Sequence, residues 1–193
     1  MKVLLFMSKG VEMLEASAFI DVFGWHRDLK KGHIELVTCG FTEEVVSTFN
    51  LCFKVDILME NVDIDEYAAL LVPGGFGYYG FYEEAYHPDF LNLIKAFDKA
   101  GKIIASICVG ALPLAKSEVL KGKKGTTYHL MNGRRQNQLK EMGVELVDNE
   151  PVVVDGHLLT SWCPSTAPEV ALKTLELLTS KEEADEIRIM MGY

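Results

Sequence analysis

The feature that most constrains this chain is the alternation of short apolar runs with longer segments of helical periodicity. Residues 3–7 form a β-like run, and residues 12–29 carry apolar side chains at helical spacing. The same order returns with β-like runs at 69–72 and 102–107, separated by a helical pattern at 88–99. Repeated strand-helix-strand units favour a parallel sheet with helices on both faces. We therefore predict an α/β fold, a three-layer α/β/α sandwich with a mainly parallel sheet.

Further elements extend this pattern toward both ends of the chain. A small hairpin is predicted from the β-prone pieces around residues 45–46 and 52–55. Thr166-Ala167-Pro168-Glu169 matches a capping box and predicts the start of a helix that continues to Leu178. Further strands are predicted at 33–39, 144–147, 151–154 and 157–160. Further helices are predicted from the residues after Cys108 to Lys116, at 132–142 and at 181–186.

Length and composition favour one globular unit. With 193 residues, of which 49% are hydrophobic and 24% charged, the chain can bury one sizeable core. No linker, repeat or low-complexity tract divides it, so we predict a single domain over residues 1–193. The apolar start resembles a signal peptide, but it is short and Ser8-Lys9-Gly10 follows at once. We expect a cytoplasmic protein without a membrane partner, because no apolar run is long enough to cross a bilayer.

Charge and cysteine spacing exclude several classes of partner. A formal net charge of −9 and a pI near 5.1 argue against nucleic-acid binding, which needs a basic face. The four cysteines, Cys39, Cys52, Cys108 and Cys163, are scattered, without paired spacing or a nearby histidine cluster. We predict no disulfide framework, no metal site and no cofactor. The expected partner is a small molecule or another protein.

A nucleophile elbow is predicted at Cys108. The apolar run 103–107 ends at this cysteine, and the small residues Ser106 and Gly110 lie two positions to either side. A side chain at such a strand-to-helix turn has an exposed tip, and the start of the helix favours its negative form. These features predict that Cys108 is presented as a reactive thiolate. The alternative is a buried cysteine that packs as a small hydrophobic residue.

Two other segments are expected at the same edge of the sheet, where ligands bind in parallel α/β folds. Glu15 lies early in the first predicted helix, where it can donate a hydrogen bond to a thiolate when protonated, or act as a general acid or base. Its alternative is a solvated residue at a helix start. Gly74 and Gly75 end an apolar strand, and their backbone N–H groups, together with that of Val109, can form an oxyanion hole. An ordinary Pro-Gly turn is the alternative.

Four segments of this sequence together resemble the signatures of the ThiJ/PfpI superfamily. They are KGVEMLE at 9–15, LVPGG at 71–75, ASICVG at 105–110 and LTSWCPST at 159–166. The superfamily includes protein deglycases, the PfpI intracellular proteases and, more distantly, class I glutamine amidotransferase domains. The resemblance implies a flavodoxin-like sandwich that forms a dimer or a larger homo-oligomer. It also implies that Cys108 is the reactive cysteine, Glu15 its partner, and Gly74 and Gly75 the oxyanion-type turn.

The sequence departs from both histidine patterns of that superfamily. Deglycase-like members have a histidine after two threonines, and here Tyr128 holds that position with His129 one residue later. The PfpI-type proteases have a histidine directly after the cysteine, where this chain has Val109. A shift of one residue turns a side chain to the opposite face of an extended segment, so His129 can act as the base only if the backbone bulges. Tyr128 is the alternative contributor. Trp162 stands in place of an arginine and makes the cleft more apolar.

Two further features leave alternatives open. The aromatic residues of segment 76–82 either overhang the cleft or are buried, in a dimer contact or against the adjacent helix. Arg134 and Arg135 either meet an anionic ligand or form a solvated helix face, and the second interpretation is the better supported.

The sequence supports three functional hypotheses. In the first, Cys108 attacks a small carbonyl, amide or related electrophile, as in a cysteine-dependent hydrolase or a deglycase-type enzyme. In the second, the chain is a redox-responsive, protective or chaperone-like protein whose Cys108 is oxidised to a sulfinate. In the third, it binds a small molecule without turnover.

Overall fold

A seven-stranded sheet forms the centre of the computed structural model, which describes residues 1–30 and 32–193. In chain order the strands are β1 (Lys2–Phe6), β2 (Glu35–Gly40), β3 (Glu44–Val46), β4 (Cys52–Lys54), β5 (Ile57–Leu58), β6 (Tyr67–Val72), β7 (Ile103–Ser106), β8 (Lys124–Gly125), β9 (Glu145–Leu146), β10 (Val152–Asp155) and β11 (Leu158–Ser161). Seven of these strands of the described residues form this sheet, and the other four form the two-stranded sheets β3-β4 and β8-β9. The helices are α1 (Met13–Lys30), α2 (Phe81–Ala85), α3 (Pro88–Lys99), α4 (Ala111–Lys116), α5 (Arg134–Glu141), α6 (Ala167–Leu178) and α7 (Lys181–Met191).

The order of strands in the main sheet is β10-β11-β7-β6-β1-β2-β5. All neighbouring pairs are parallel except β10 and β11, which pair antiparallel at one edge. β1 and β6 are nearly continuous apolar runs because both faces of a central parallel strand are covered. This topology brings the carboxyl ends of β1, β6 and β7 together at one edge, where the loops that follow them meet.

Helices cover both faces of the sheet. α1 packs against α6 and α7 on one face, whereas α3 packs against α4, β6 and β7 on the other. Phe6 in β1 stacks on Phe90 in α3 with ring centroids 3.6 Å apart, which joins the sheet to this second layer. The predicted three-layer sandwich with a mainly parallel sheet is confirmed. No helix in the two described ranges is long and apolar enough to span a membrane.

Most predicted elements are present, but three details differ. β3 and β4 form the predicted hairpin, whereas β5, β8 and α2 were not predicted because such short segments carry almost no periodic signal. The predicted capping box at Thr166 is wrong. The Thr166 hydroxyl donates to the carbonyl oxygen of Cys163 at 2.7 Å and lies 2.8 Å from the hydroxyl of Ser161, so it does not cap α6. A serine cap occurs instead at α7, where Ser180 Oγ accepts from the N–H of Glu183.

Candidate active site

Cys108 lies at a sharp turn between β7 and α4. Ile107 is extended, and Cys108 itself has a φ of +56°, in the left-handed region that non-glycine residues rarely adopt. Such a conformation costs of order 1–3 kcal/mol and is found mainly at functional sites. Gly110 is required here, because a Cβ atom at this position would lie 2.3 Å from the carbonyl oxygen of Val72. The predicted nucleophile elbow is therefore confirmed.

Backbone and side-chain hydrogen bonds hold the elbow in place. The N–H of Ile107 donates to the carbonyl oxygen of Val72 at 3.1 Å, which ties the end of β7 to β6. The buried hydroxyl of Thr127 donates to the carbonyl oxygen of Cys108 at 2.6 Å. The turn is thus fixed from two sides.

Glu15 is a buried carboxyl group beside this elbow. It is the third residue of α1, and its exposed fraction is 0%. The N–H of Gly74 donates to Glu15 Oε2 at 2.6 Å, whereas Oε1 is buried without a hydrogen-bond partner of normal geometry in the described chain. A Cβ atom on Gly74 would lie 2.9 Å from Oε2 and 3.0 Å from the backbone nitrogen of Val109. The solvated-residue interpretation of Glu15 is wrong.

Burial controls the protonation of Glu15. Removal from water raises the pKa of this carboxyl from 4.5 to about 8, and the bonds from Gly74 and Cys108 offset only part of that effect. The carboxyl group is therefore mainly protonated at neutral pH. A protonated carboxyl can donate a hydrogen bond. Because Oε2 accepts from Gly74, Oε1 is the oxygen that can carry the proton and donate.

The Cys108 thiol is also buried, with an exposed fraction of 9%. Burial, followed by the negative charge that Glu15 carries when ionised, raises the pKa of this thiol, while the N–H of Val109 lowers it. This direction corrects the expectation that the elbow alone presents a thiolate. Glu15 and Cys108 each shift the pKa of the other, so they titrate as a pair rather than as independent groups.

The three backbone amides predicted to form an oxyanion hole differ in their hydrogen-bond partners. The N–H of Gly74 is used by Glu15, so it is not free for a ligand. The N–H of Val109 faces the sulfur of Cys108. Gly75 lines the same cavity as Cys108, and its N–H donates to no backbone or side-chain acceptor of the described residues. Among these three amides, that of Gly75 has no acceptor among the described residues.

Cys108 and Glu15 open into a cavity of about 450 Å³. Its walls are largely apolar, with Phe76, Leu130 and Met131 at the rim. A cavity of about 540 Å³ between Phe41 and Asp89 is larger, but its lining contains no nucleophilic side chain. Another cavity, of about 470 Å³, is lined by His129, Trp162 and Cys163 but holds no buried carboxyl group. The cavity of Cys108 is the candidate active site because it holds the buried pair Glu15 and Cys108.

Tyr128 and His129 point in different directions, as the alternation of an extended segment requires. Tyr128 lines the cavity of Cys108. His129 lines a neighbouring cavity, and its ring lies against Trp162 with centroids 4.2 Å apart. The geometry therefore favours Tyr128 over His129 as a neighbour of the reacting atoms.

Other residues of the cavity were missed or undervalued in the sequence. Arg135 lines it, although a solvated helix face was the favoured interpretation. Cys163 and Ser165 lie on the opposite segment, with Sγ and Oγ 3.2 Å apart. Glu12 completes the polar part of the lining. Arg135 belongs to the basic pair 134–135, whereas Glu12, Cys163 and Ser165 lie in two of the four segments that carried the family resemblance but were not singled out there.

Metal ligands do not cluster in this site. Among residues 1–30 and 32–193, no group of three or more histidine, cysteine, aspartate or glutamate side chains is arranged to hold a metal ion.

Comparison with known proteins identifies the family. Residues 1–177 match the model of the DJ-1/PfpI family. This chain belongs to the DJ-1/PfpI family. The resemblance seen in the four sequence segments is thereby confirmed.

Relatives in the DJ-1/PfpI family share about a third of their residues with this chain. Protein dj-1beta of Drosophila melanogaster is 30% identical over 186 residues, which cover 95% of this chain and 92% of that protein. Deglycase PfpI of Pyrococcus furiosus is 34% identical, over 78% of this chain and 88% of that protein. Deglycase TK1284 of Thermococcus kodakarensis is 32% identical, over 85% of this chain and 91% of that protein.

Solved DJ-1/PfpI structures have the same fold. The crystal structure of Drosophila melanogaster DJ-1beta superposes with a TM-score of 0.85 at 30% identity, covering 98% of this chain and 96% of that one. The structure described as Toxoplasma gondii DJ-1, oxidized, gives a TM-score of 0.81 at 28% identity, covering 100% and 98% of the two chains. The flavodoxin-like fold is therefore confirmed.

The raised pKa of Glu15 predicts a pH-dependent stability. The folded protein keeps a proton that the unfolded chain releases above about pH 4.5, so stability is lost as the pH rises toward about 8. We predict that the free energy of unfolding of the wild type falls, relative to a Glu15→Gln variant, by up to about 1.4 kcal/mol per pH unit in this window. Urea unfolding of both proteins at several pH values measures this difference.

A Glu12→Gln variant is the matched control, since Glu12 lines the same cavity but is only half-buried. Its stability should follow the wild type across the same window. A constant difference between wild type and Glu15→Gln at all pH values would show that Glu15 is ionised in the folded protein.

Proposed function

We propose that this protein is a cysteine-dependent hydrolase or lyase that acts on a small carbonyl, amide or related electrophile. The observation that carries the proposal is the buried Glu15 carboxyl beside a strained Cys108, at the base of a cavity of about 450 Å³. A nucleophile and a group of raised pKa that converge in one pocket are typical of an active site.

The reaction begins when the Glu15–Cys108 pair loses one proton. The remaining proton stays on Glu15, and the Cys108 sulfur, which accepts from the N–H of Val109, becomes the nucleophile. The sulfur attacks the electrophilic carbon, a carbon–sulfur bond forms, and the electron pair of the C=O bond moves to oxygen. Glu15 then gives its proton to that oxygen. The product of this step is a neutral tetrahedral adduct and an ionised Glu15.

Backbone amides stabilise the developing oxyanion. Gly75 offers an N–H that is not used elsewhere in the described chain. When the sulfur bonds to carbon it becomes a poorer acceptor, which releases the N–H of Val109 for the same oxygen. One such donor contributes roughly 3 kcal/mol to transition-state stabilisation in well-studied hydrolases.

The relatives support an enzyme of this type. Several DJ-1/PfpI proteins similar to this chain are named deglycases. The histidine positions differ here, and we propose that Tyr128, which lines the cavity, supplies the polar contact on that side. Glu15 rather than an imidazole then acts as the acid and base.

The pH dependence of Cys108 alkylation tests this proposal. We expect the wild-type rate to rise with pH and to level off above about pH 8, because the Glu15–Cys108 pair has then lost one proton and its negative charge opposes the loss of the second. In Glu15→Gln no carboxylate opposes thiol ionisation, so the rate should continue to rise at higher pH. Near neutral pH it should be roughly three- to tenfold below the wild type, since an amide is a weaker donor than a carboxyl group. Peptide mapping separates Cys108 from the exposed Cys52.

Two controls complete this experiment. Glu12→Gln should keep the wild-type profile, and Cys108→Ala should lose turnover of every electrophile that the wild type converts. Equal turnover by Cys108→Ala and wild type contradicts the enzymatic proposal. A bound ligand without turnover in either protein would favour a binding protein instead.

A second candidate function is a response to oxidation. The structure described as Toxoplasma gondii DJ-1, oxidized, is similar to this chain, and Glu15 Oε1 is buried without a partner beside the Cys108 sulfur. Two equivalents of peroxide convert a cysteine to a sulfinate and release water. A protonated Glu15 can donate a hydrogen bond to that anion.

Mild peroxide treatment followed by intact mass and peptide mapping tests the second candidate. We predict a gain of two oxygen atoms at Cys108 before the other cysteines react, and slower accumulation in Glu15→Gln. Oxidation of the exposed Cys52 ahead of Cys108 would remove this function from consideration.

We also propose a homodimer in the cytoplasm. All four cysteines are free thiols, which is typical of a reducing compartment. An exposed aromatic cluster supports self-association, with the ring of Phe49 6.1 Å from that of Phe76 and 5.9 Å from that of Tyr79. Sedimentation equilibrium should give a dimer mass that Phe49→Ser lowers, and a monomeric wild type would contradict the proposal.

A further inference from the structure

Arg135 contributes a cation to the wall of the Cys108 cavity. It is the second residue of α5 and is half-buried, whereas the neighbouring Arg134 is exposed. Of the described residues that line this cavity, Arg135 is the single arginine or lysine. The two residues of the basic pair therefore have different environments.

Neutral groups hold the guanidinium of Arg135 in position. Nη1 donates to Gln138 Oε1 at 2.8 Å, and Cζ lies 5.0 Å from the ring centroid of Tyr82. Within the described part of the chain, no carboxylate forms an ion pair with Arg135. The cation is thus oriented in advance but not neutralised, and its other N–H groups stay available for an acceptor.

The two carboxyl groups of the cavity leave this charge largely uncompensated. Glu12 Oε1 accepts from the backbone N–H of Leu14 at 3.2 Å, at the start of α1. Glu15 is buried and keeps its proton at neutral pH. Neither carboxyl group is hydrogen-bonded to Arg135.

The apolar lining strengthens any charge interaction within the cavity. Phe76, Leu130 and Met131 form part of the wall, and the volume of about 450 Å³ suits a small molecule. A partly buried ion pair is screened less than one in open water. A guanidinium matches the two oxygen atoms of a carboxylate in a bidentate arrangement.

We propose that Arg135 binds a carboxylate of the substrate, so that the preferred electrophiles carry a carboxylate close to the carbon that Cys108 attacks. This inference rests on the proposed function, because it specifies the substrate class of that site. A monoanion suits the cavity better than a doubly charged phosphate, since the carboxylate of Glu12 also lines the cavity. The remainder of the substrate is expected to be short and apolar.

A pair of alkylating reagents measures this preference directly. Iodoacetate and iodoacetamide react with a thiolate in the same way, forming a carbon–sulfur bond and releasing iodide. They differ in that the first carries a carboxylate and the second a neutral amide. The ratio of their rates at Cys108 cancels the fraction of thiolate, so it reports on anion binding rather than on thiol ionisation.

We expect Arg135→Gln to lower the iodoacetate-to-iodoacetamide ratio at Cys108 roughly fivefold or more, the size of effect expected for one nearby partly buried charge. Arg135→Lys should keep most of the ratio, because it retains a cation at the same wall. Arg134→Gln is the matched control on the same helix and should change the ratio less than about twofold, as expected for a screened exposed charge.

The outcomes separate this inference from the proposed function. An unchanged ratio in Arg135→Gln, or an equal loss in Arg134→Gln, overturns the carboxylate site while Cys108 stays reactive. Failure of both reagents to modify Cys108 in the wild type counts against the proposed function itself. Circular dichroism of each variant confirms that the fold is kept.

Discussion

The hydrogen bond from the N–H of Gly74 to Glu15 Oε2 joins the helix after β1 to the loop after β6. It fixes a carboxyl group in a fully buried position beside the turn that carries Cys108. A single N–H cannot replace the solvation of a carboxylate, so the group keeps its proton at neutral pH. The acid–base chemistry that we propose for Cys108 depends on this one proton.

The backbone around that bond is packed without spare room. A Cβ atom on Gly110 would lie 2.3 Å from the carbonyl oxygen of Val72, and one on Gly74 would lie 2.9 Å from Glu15 Oε2. The N–H of Val109 faces the Cys108 sulfur, and Gly75 lines the same cavity. The strained φ of Cys108 is sustained because hydrogen bonds to Ile107 and from Thr127 fix the turn.

Sequence reasoning found the parts of the site that depend on local pattern. The alternation of apolar runs and helical segments predicted the parallel sheet, and small residues around Cys108 predicted the elbow. Glu15 was a candidate through its place after β1. The direction of the thiol pKa was wrong because the start of a short helix cannot outweigh burial, and burial is a property of the whole fold.

Residues brought in by distant segments could not be ranked from the sequence. The environment of Arg135 depends on the ring of Tyr82, more than fifty residues earlier in the chain. The hydroxyl of Thr166 donates to the carbonyl oxygen of Cys163 and contacts Ser161 at the end of β11, so the capping motif does not form. The outward position of His129 depends on its contact with Trp162.

The protonation of Glu15 can be measured from the NMR chemical shift of its carboxyl carbon. We would label glutamate with carbon-13 at the carboxyl position and assign the Glu15 signal from its loss in Glu15→Gln. The shift should stay that of a protonated acid through neutral pH and change with a midpoint near 8. A midpoint near 4.5, the ordinary value for glutamate, would contradict the central claim that burial keeps this proton in place.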